Sequence, residues 1–121
     1  MNVEESTLQV SWPGDLEGNK ELFDGVQRTN RVLENELGRS KGLVTAGWNL
    51  NRDSQNRALL ELTLTDRFTG SQVIERFAPE EFRSDLHLGN RIHRMWGHLL
   101  RARSEGQIKR LEELVSQEEV G

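Results

Sequence analysis

The chain has 121 residues, of which 34% are hydrophobic and 30% charged, and it carries a formal net charge of −4 and no cysteine. This length fits one domain with its own core, and the lack of thiols excludes disulfides, thiolate nucleophiles and cysteine metal sites. No apolar run approaches the roughly 18 residues that cross a bilayer, and the N-terminus lacks the basic and apolar regions of a signal peptide. These features predict one soluble, cytoplasmic domain over residues 1–121 that makes no membrane contact, with loose ends at 1–6 and 117–121.

The first predicted element is a short strand. Leu8, Val10 and Trp12 alternate with polar residues, and this period of two is typical of a strand. Pro13 ends the run. Because proline cannot donate a hydrogen bond to a neighbouring strand, we place this strand at the margin of the sheet.

A long helix is predicted next, over residues 19–37. Asn19 is a good N-cap, and apolar residues from Leu22 to Leu37 recur at spacings of four and seven. Gly38 occupies the position at which a helix commonly ends in a positive-φ conformation. Gly25 inside the helix costs about 1 kcal/mol against alanine, which indicates either close packing at that point or simple tolerance.

Three consecutive strands follow and form a predicted meander. Residues 44–50 alternate between apolar and small or polar side chains, and Leu60, Leu62 and Leu64 occupy every second position of the next run. A turn at residues 66–70, with aspartate and glycine at its ends, leads into the third strand. The leucines are therefore expected to face a core, and the polar residues between them to face water.

Two helices are predicted at the C-terminal end. Residues 78–82 predict a helix start, since proline in the first turn loses no needed donor and the glutamates favour the positive end of the helix. A stripe at helical spacing follows, formed by Leu88, Ile92, Met95, Trp96 and Leu99. Residues 104–107 fit a capping box, and the apolar stripe after them is out of phase with the first. We therefore expect a kink near residue 105 and a last helix that ends near residue 117.

The order of elements is β-α-β-β-β-α-α. We predict an α+β fold in which a three- to four-stranded antiparallel meander is covered by helices on one face, because this arrangement buries the apolar side of each element. The chain has no internal repeat, low-complexity segment or linker. A single core between the sheet and the helices is therefore expected.

The three histidines do not form a recognisable chemical site. His87, His93 and His98 are separated by six and five residues, whereas a metal-binding pair on a helix needs a spacing of three or four. The chain has no marked nucleophile and no phosphate-binding glycine motif. We therefore predict a non-catalytic protein with no metal and no cofactor. The alternative is an enzyme that uses one of these histidines as a base, which requires a pocket with a second polar group.

A basic stripe is the one pattern that points to a function. It lies on the first of the two C-terminal helices at spacings of three and four, and consists of Arg83, His87, Arg91, Arg94, His98 and Arg101. Residues 83–103 contain five arginines and one acidic residue, a net charge of +4, whereas residues 104–121 contain five glutamates and two basic residues, a net charge of −3. The stripe is interpreted as a surface for an acidic partner. The alternative is a solvated face that acids of the sheet or of the last helix neutralise.

Two apolar groups add to this interpretation. Phe68 lies in a hairpin turn where little covers it, so it is a candidate partner contact. Ile108, Leu111 and Val115 form the stripe of the last helix, which is able to pair with a second copy of the chain. We therefore predict a non-catalytic protein–protein interaction module, a subunit or adaptor of a larger assembly. The alternative is a nucleic-acid-associated module that uses the same basic stripe, although the few arginines and the net charge of −4 argue against it.

Two resemblances bear on these hypotheses. The order helix, three-stranded meander, helix is similar to that of double-stranded-RNA-binding domains, but that family has a lysine cluster where this chain has Ala-Pro-Glu-Glu-Phe at residues 78–82, so we reject this assignment. Residues 64–82 resemble the core of flagellar FlaG proteins, in which an aspartate and a Thr-Gly turn precede Val-Ile-Arg and a Pro-Glu-Glu segment. This resemblance covers under a fifth of the chain and implies a flagellar regulator as a further alternative.

Overall fold

The structure, a computed structural model, describes residues 8–120, with side chains to residue 116. Residues 1–7 and 121, within or next to the predicted loose ends, lie outside this part of the chain. In chain order the elements are β1 (Gln9–Ser11), α1 (Gly14–Glu17), α2 (Lys20–Leu37), a 3-10 turn (Gly38–Leu43), β2 (Val44–Arg52), β3 (Ala58–Asp66), β4 (Gln72–Phe77), a second 3-10 turn (Pro79–Arg83) and α3 (Asp85–Val120).

The four strands form one sheet in the order β1-β2-β3-β4. The meander of β2, β3 and β4 is antiparallel, as predicted. β1 lies at the margin of the sheet, but it pairs with β2 in parallel, so the prediction of an entirely antiparallel sheet is wrong at this edge. The physical reason is α2, because a chain that crosses over through a helix returns the next strand in the same direction.

The core lies between the sheet and the two long helices, and the predicted α+β class is confirmed. Leu60, Leu62 and Leu64 are fully buried on the helix-facing side of β3. Trp48 is buried beside them on β2, and its indole Nε1 donates a 2.8 Å hydrogen bond to Oδ1 of Asn30 on α2. This bond gives the indole N–H and the amide oxygen a hydrogen-bond partner inside the core, where an unpaired polar group would oppose burial.

The helix α2 has the ends that the sequence predicts. Oδ1 of Asn19 accepts a hydrogen bond from the backbone N–H of Leu22 at 3.3 Å, and Gly38 follows the last helical residue with φ of 52°. Of the two explanations for a glycine at position 25 of this helix, the structure supports close packing. A Cβ at this position would lie 2.8 Å from Cγ of Phe82, so the glycine makes room for that ring.

The helix α3 is a single element of 36 residues, which is not interrupted at residue 105 where the sequence predicts a kink and a new helix. It begins at Asp85, after the 3-10 turn that residues 79–83 form where the sequence predicts the helix start. Its core side is formed by buried residues at helical spacing, namely Leu88, Ile92, Met95 and Leu99. Ile108 and Val115 lie on nearly the opposite side of the same helix, at 100° per residue. The apolar stripe changes phase because the apolar residues after position 104 lie on the exposed side of the helix, and the helix itself continues.

The turn between β3 and β4 holds the middle of α3. Oγ of Ser71 donates a 3.3 Å hydrogen bond to the carbonyl oxygen of Ala102, and Gly106 lies close to the same turn. Nε of Arg103 is 3.8 Å from a carboxylate oxygen of Asp66, which is only 2% exposed. Beyond this contact, every side chain from residue 107 to residue 116 is exposed.

Candidate functional site

The basic stripe divides into an inward part and an outward part, and Arg91 belongs to the inward part. Its guanidinium donates to Glu81 at 2.6 Å and to Glu75 at 2.9 Å, and it lies 4.4 Å from the centroid of the Phe77 ring. The Arg91 side chain is only 14% exposed. Arg91 therefore anchors the start of α3 to β4, and we leave it out of the candidate surface.

Glu81 is the acceptor at this anchor. Its carboxylate takes hydrogen bonds from the backbone N–H of Ala78 at 2.7 Å, from Nε2 of His87 at 2.8 Å and from Arg91. Burial raises the pKa of Glu81, but the bond from His87, the bond from Ala78 and the charge of Arg91 together lower this pKa below its ordinary value of 4.5. His87 is thus joined to the anchor, although its side chain is half exposed.

The outward part of the stripe consists of exposed basic side chains. Arg94, His98 and Arg101 follow one another on α3 at spacings of four and three, and Arg83 is exposed in the 3-10 turn before the helix. Among the ion pairs formed by residues 8–116, none involves these four side chains. The basic stripe is therefore partly neutralised by the sheet, as the alternative interpretation expects, and partly free.

A set of exposed apolar side chains continues along the same helix. Ile108, Leu111 and Val115 are 55%, 62% and 53% exposed, and Phe68 in the β3–β4 turn is 65% exposed. Phe68, Leu111 and Leu114 line a groove of about 560 Å³ between the turn and α3. Large apolar groups that are exposed in a contiguous set are typical of an interaction surface.

Two side-chain rows can be defined on the outer side of α3. The outer stripe spans about 80° of the helix and is formed by Gly97, Leu100, Ser104, Ile108, Leu111 and Val115, all exposed. The charged flank lies beside it, within a sector of about 60°, and is formed by Arg94, His98, Arg101, Glu105 and Glu112. Along this flank the charge changes from positive to negative between Arg101 and Glu105. The sequence analysis missed the glutamates of this row, because it separated the helix at residue 105.

The three histidines are all exposed side chains of α3. Within residues 8–116 there is no group of three histidine or acidic side chains that could hold a metal ion. His93 contacts Glu36 of α2 through Nδ1, and His98 is exposed on the charged flank. Five depressions on the described surface have no histidine in their linings.

None of the described helices is both long enough and apolar enough to cross a membrane.

The sheet face that points away from the helices is a second exposed surface. Its central part is neutral, with a shallow depression lined by Ser11, Thr45, Gly47, Thr63 and Thr65 and with the exposed Ile74 of β4 next to Thr63. At one end, Arg76 of β4 pairs with Glu61 of β3 at 3.1 Å. This face has neither free charge nor a large apolar cluster at its centre, so it serves as a reference surface for experiments on α3.

The chain was compared with models of protein families, with curated proteins and with solved structures. None of the three comparisons found a match. The geometry of α3 is therefore the basis for a functional proposal.

Proposed function

We propose that this protein is a non-catalytic protein–protein interaction module that docks on an acidic partner through the outer side of α3. The observation that carries the proposal is the exposed apolar run from Ile108 to Val115, on a part of the helix that extends past its contact with the sheet. A helix segment with apolar side chains and no core to cover is typical of an element that packs on another protein.

The free cations support an acidic partner. Arg94 and Arg101 flank the outer stripe without an internal ion pair among residues 8–116. Charges at the rim of an apolar contact steer association and select the partner by complementarity. The surface therefore combines an apolar centre with a charged rim whose first half is cationic, and an apolar centre with a polar rim is the usual anatomy of a protein interface.

Nucleic acid is a weaker candidate for the same surface. Arg91 and Arg103 face Glu75, Glu81 and Asp66, which removes them from any phosphate contact. Glu105 and Glu112 continue the row in which Arg94 and Arg101 lie, and negative charges there oppose a phosphate backbone. The geometry thus favours a protein partner.

Site-specific photo-crosslinking in the cells of the natural host tests this proposal. A photoreactive residue at position 111 should give a protein adduct, whereas the same residue at position 49, exposed on the reference surface, should not. Combining the probe at position 111 with Arg94→Glu and Arg101→Glu should reduce the adduct about tenfold, which corresponds to about 1.4 kcal/mol.

A matched control separates the site from the overall charge. The double change Arg31→Glu and Arg39→Glu alters net charge equally at two exposed arginines of α2 and of the turn after it. This control should leave the adduct unchanged. Equal adducts at positions 111 and 49, or no adduct on α3, would refute the proposed function.

A further inference from the structure

We infer that the acidic partner is a second copy of this chain, which packs antiparallel along α3 across a two-fold axis close to residues 106–107. This inference rests on the proposed function and specifies its partner. It follows from two independent features of the outer side of the helix, the order of charges on the charged flank and the order of large and small residues on the outer stripe.

In the antiparallel direction the charged flank is complementary to itself at Arg101 and Glu112. A two-fold axis perpendicular to both helices brings the same flank of each copy to the same side of the interface. Arg101 lies as far before residues 106–107 as Glu112 lies after them, about 8 Å along the helix in each case. Arg101 of each copy therefore meets Glu112 of the other, and this pairing occurs twice.

The outer stripe interdigitates about the same axis. Leu111 lies about 7 Å after the axis, and it meets the other copy between Leu100 and Ser104, which lie about 10 Å and about 4 Å before it. Val115 falls opposite Gly97, where the missing side chain allows close approach. Large residues thus meet small ones along the crossing, as close packing of helices requires.

A parallel pair would leave Arg101 without an acidic partner. In a parallel pair the charged flank of one helix faces the opposite flank of the other. That flank carries Gln107, Arg110 and Leu114, which offer no acidic side chain to Arg101. Arg101 therefore gains an acidic partner in the antiparallel arrangement and gains none in the parallel one.

Mixing two charge-reversed chains tests the pairing directly. The wild-type chain should sediment at twice its 13.9 kDa mass in the micromolar range. Arg101→Glu alone and Glu112→Arg alone each place like charges opposite one another, and each should weaken self-association at least about tenfold. An equimolar mixture of the two variants should restore a dimer, since each chain then supplies the charge that the other needs.

The mixture also controls for misfolding, because two chains that fail to fold do not restore one another. Circular dichroism of each variant should match that of the wild type, and urea unfolding of each variant should show one cooperative transition. A wild-type chain that stays monomeric, or a mixture that stays monomeric while its components are folded, would overturn the inference.

Cysteine crosslinking tests the direction of packing, and the chain has no native cysteine to interfere. In the antiparallel dimer the two copies of residue 108 are about 4.5 Å apart along the helix, whereas those of residue 115 are about 25 Å apart. Ile108→Cys should therefore crosslink to itself with a short bismaleimide, and Val115→Cys should not. Efficient crosslinking at position 115 would indicate a parallel pair and overturn the antiparallel one.

The two proposals fail in different ways. If the cellular adduct at position 111 has the mass of a different protein and the purified chain is monomeric, the interaction module stands and the second copy is excluded. If there is no adduct on α3 but the purified chain dimerises, the pairing stands and the proposed docking on a partner in the cell is refuted.

Discussion

The two halves of α3 differ in what their apolar side chains contact. In residues 85–103 the apolar stripe faces the sheet and α2, and Leu88, Ile92, Met95 and Leu99 are buried. In residues 104–116 the apolar side chains lie on the outer side or along the groove beside Phe68, and all are at least half exposed. One helix thus serves the core with its first half and presents a surface with its second, so the length of α3 exceeds what the fold itself requires.

The largest expected effect is on the free energy of unfolding, which should respond differently to substitutions in the two halves of α3. Ile92→Ala should lower the free energy of unfolding by about 2–5 kcal/mol, because it leaves a cavity in the core. Ile108→Ala should change it by no more than about 0.5 kcal/mol. Urea unfolding in the Arg101→Glu background measures both, since self-association then adds little to stability. Equal losses of unfolding free energy for the two variants would mean that the second half of α3 is packed on the domain, and the proposed difference between the two halves would be wrong.

A smaller effect is expected within the first half. Arg91→Ala removes the cation from Glu75 and Glu81, and we expect a loss of about 1–3 kcal/mol in the free energy of unfolding. Arg94→Ala, three residues later on the outward side, should cost no more than about 0.5 kcal/mol. Thermal unfolding of the two variants gives the comparison, and a larger loss for Arg94 would contradict the division of the basic stripe.

Two glycines sharpen the comparison further. A Cβ at Gly89 or at Gly97 would meet no atom within 4 Å. Alanine at either position should therefore raise the free energy of unfolding of the monomer by up to about 1 kcal/mol. Only Gly97→Ala should also weaken dimerisation in sedimentation, because Val115 of the other copy needs that space. Equal effects of the two changes on dimerisation would count against the proposed register.

The smallest expected effect is on the pH dependence of stability. The pKa of Glu81 is lowered in the folded chain, so its contribution to stability is present above the ordinary value of 4.5 and is lost as the pH falls through the folded pKa. The stability difference between wild type and Glu81→Gln should therefore shrink between about pH 6 and about pH 3. Urea midpoints of both proteins across this range measure it, and a constant difference would exclude Glu81 as the acid-sensitive group at the anchor.

Local patterns were enough to predict much of the fold. The alternation of Leu60, Leu62 and Leu64 identified the central strand, and Asn19 and Gly38 marked the ends of α2, because each signal depends on neighbouring residues only. The short helix α1 was missed, since four residues between Pro13 and Gly18 carry too little periodicity to be recognised.

The candidate site was harder to predict, because it depends on residues far apart in the chain. Nothing within α3 shows that Arg91 contacts Glu75 and Arg94 does not. One signal was present in the sequence. Glu75 lies two residues before the buried Phe77 and therefore on the same face of β4, and a carboxylate on the core side of a strand needs a cation. The separate last helix expected after residue 105 is instead continuous with α3, and the turn around Ser71 contacts α3 at Ala102, close to that point.

The parallel pairing of β1 has a consequence for the order of folding. Gln9 pairs with Thr45, across the whole of α2, whereas Arg52 pairs with Ala58 across a short loop. Closing a long loop costs more conformational entropy than closing a short one, so the meander should assemble before the N-terminal strand joins it. Of these four strands, the first to be synthesised is thus expected to be the last to pair in the sheet.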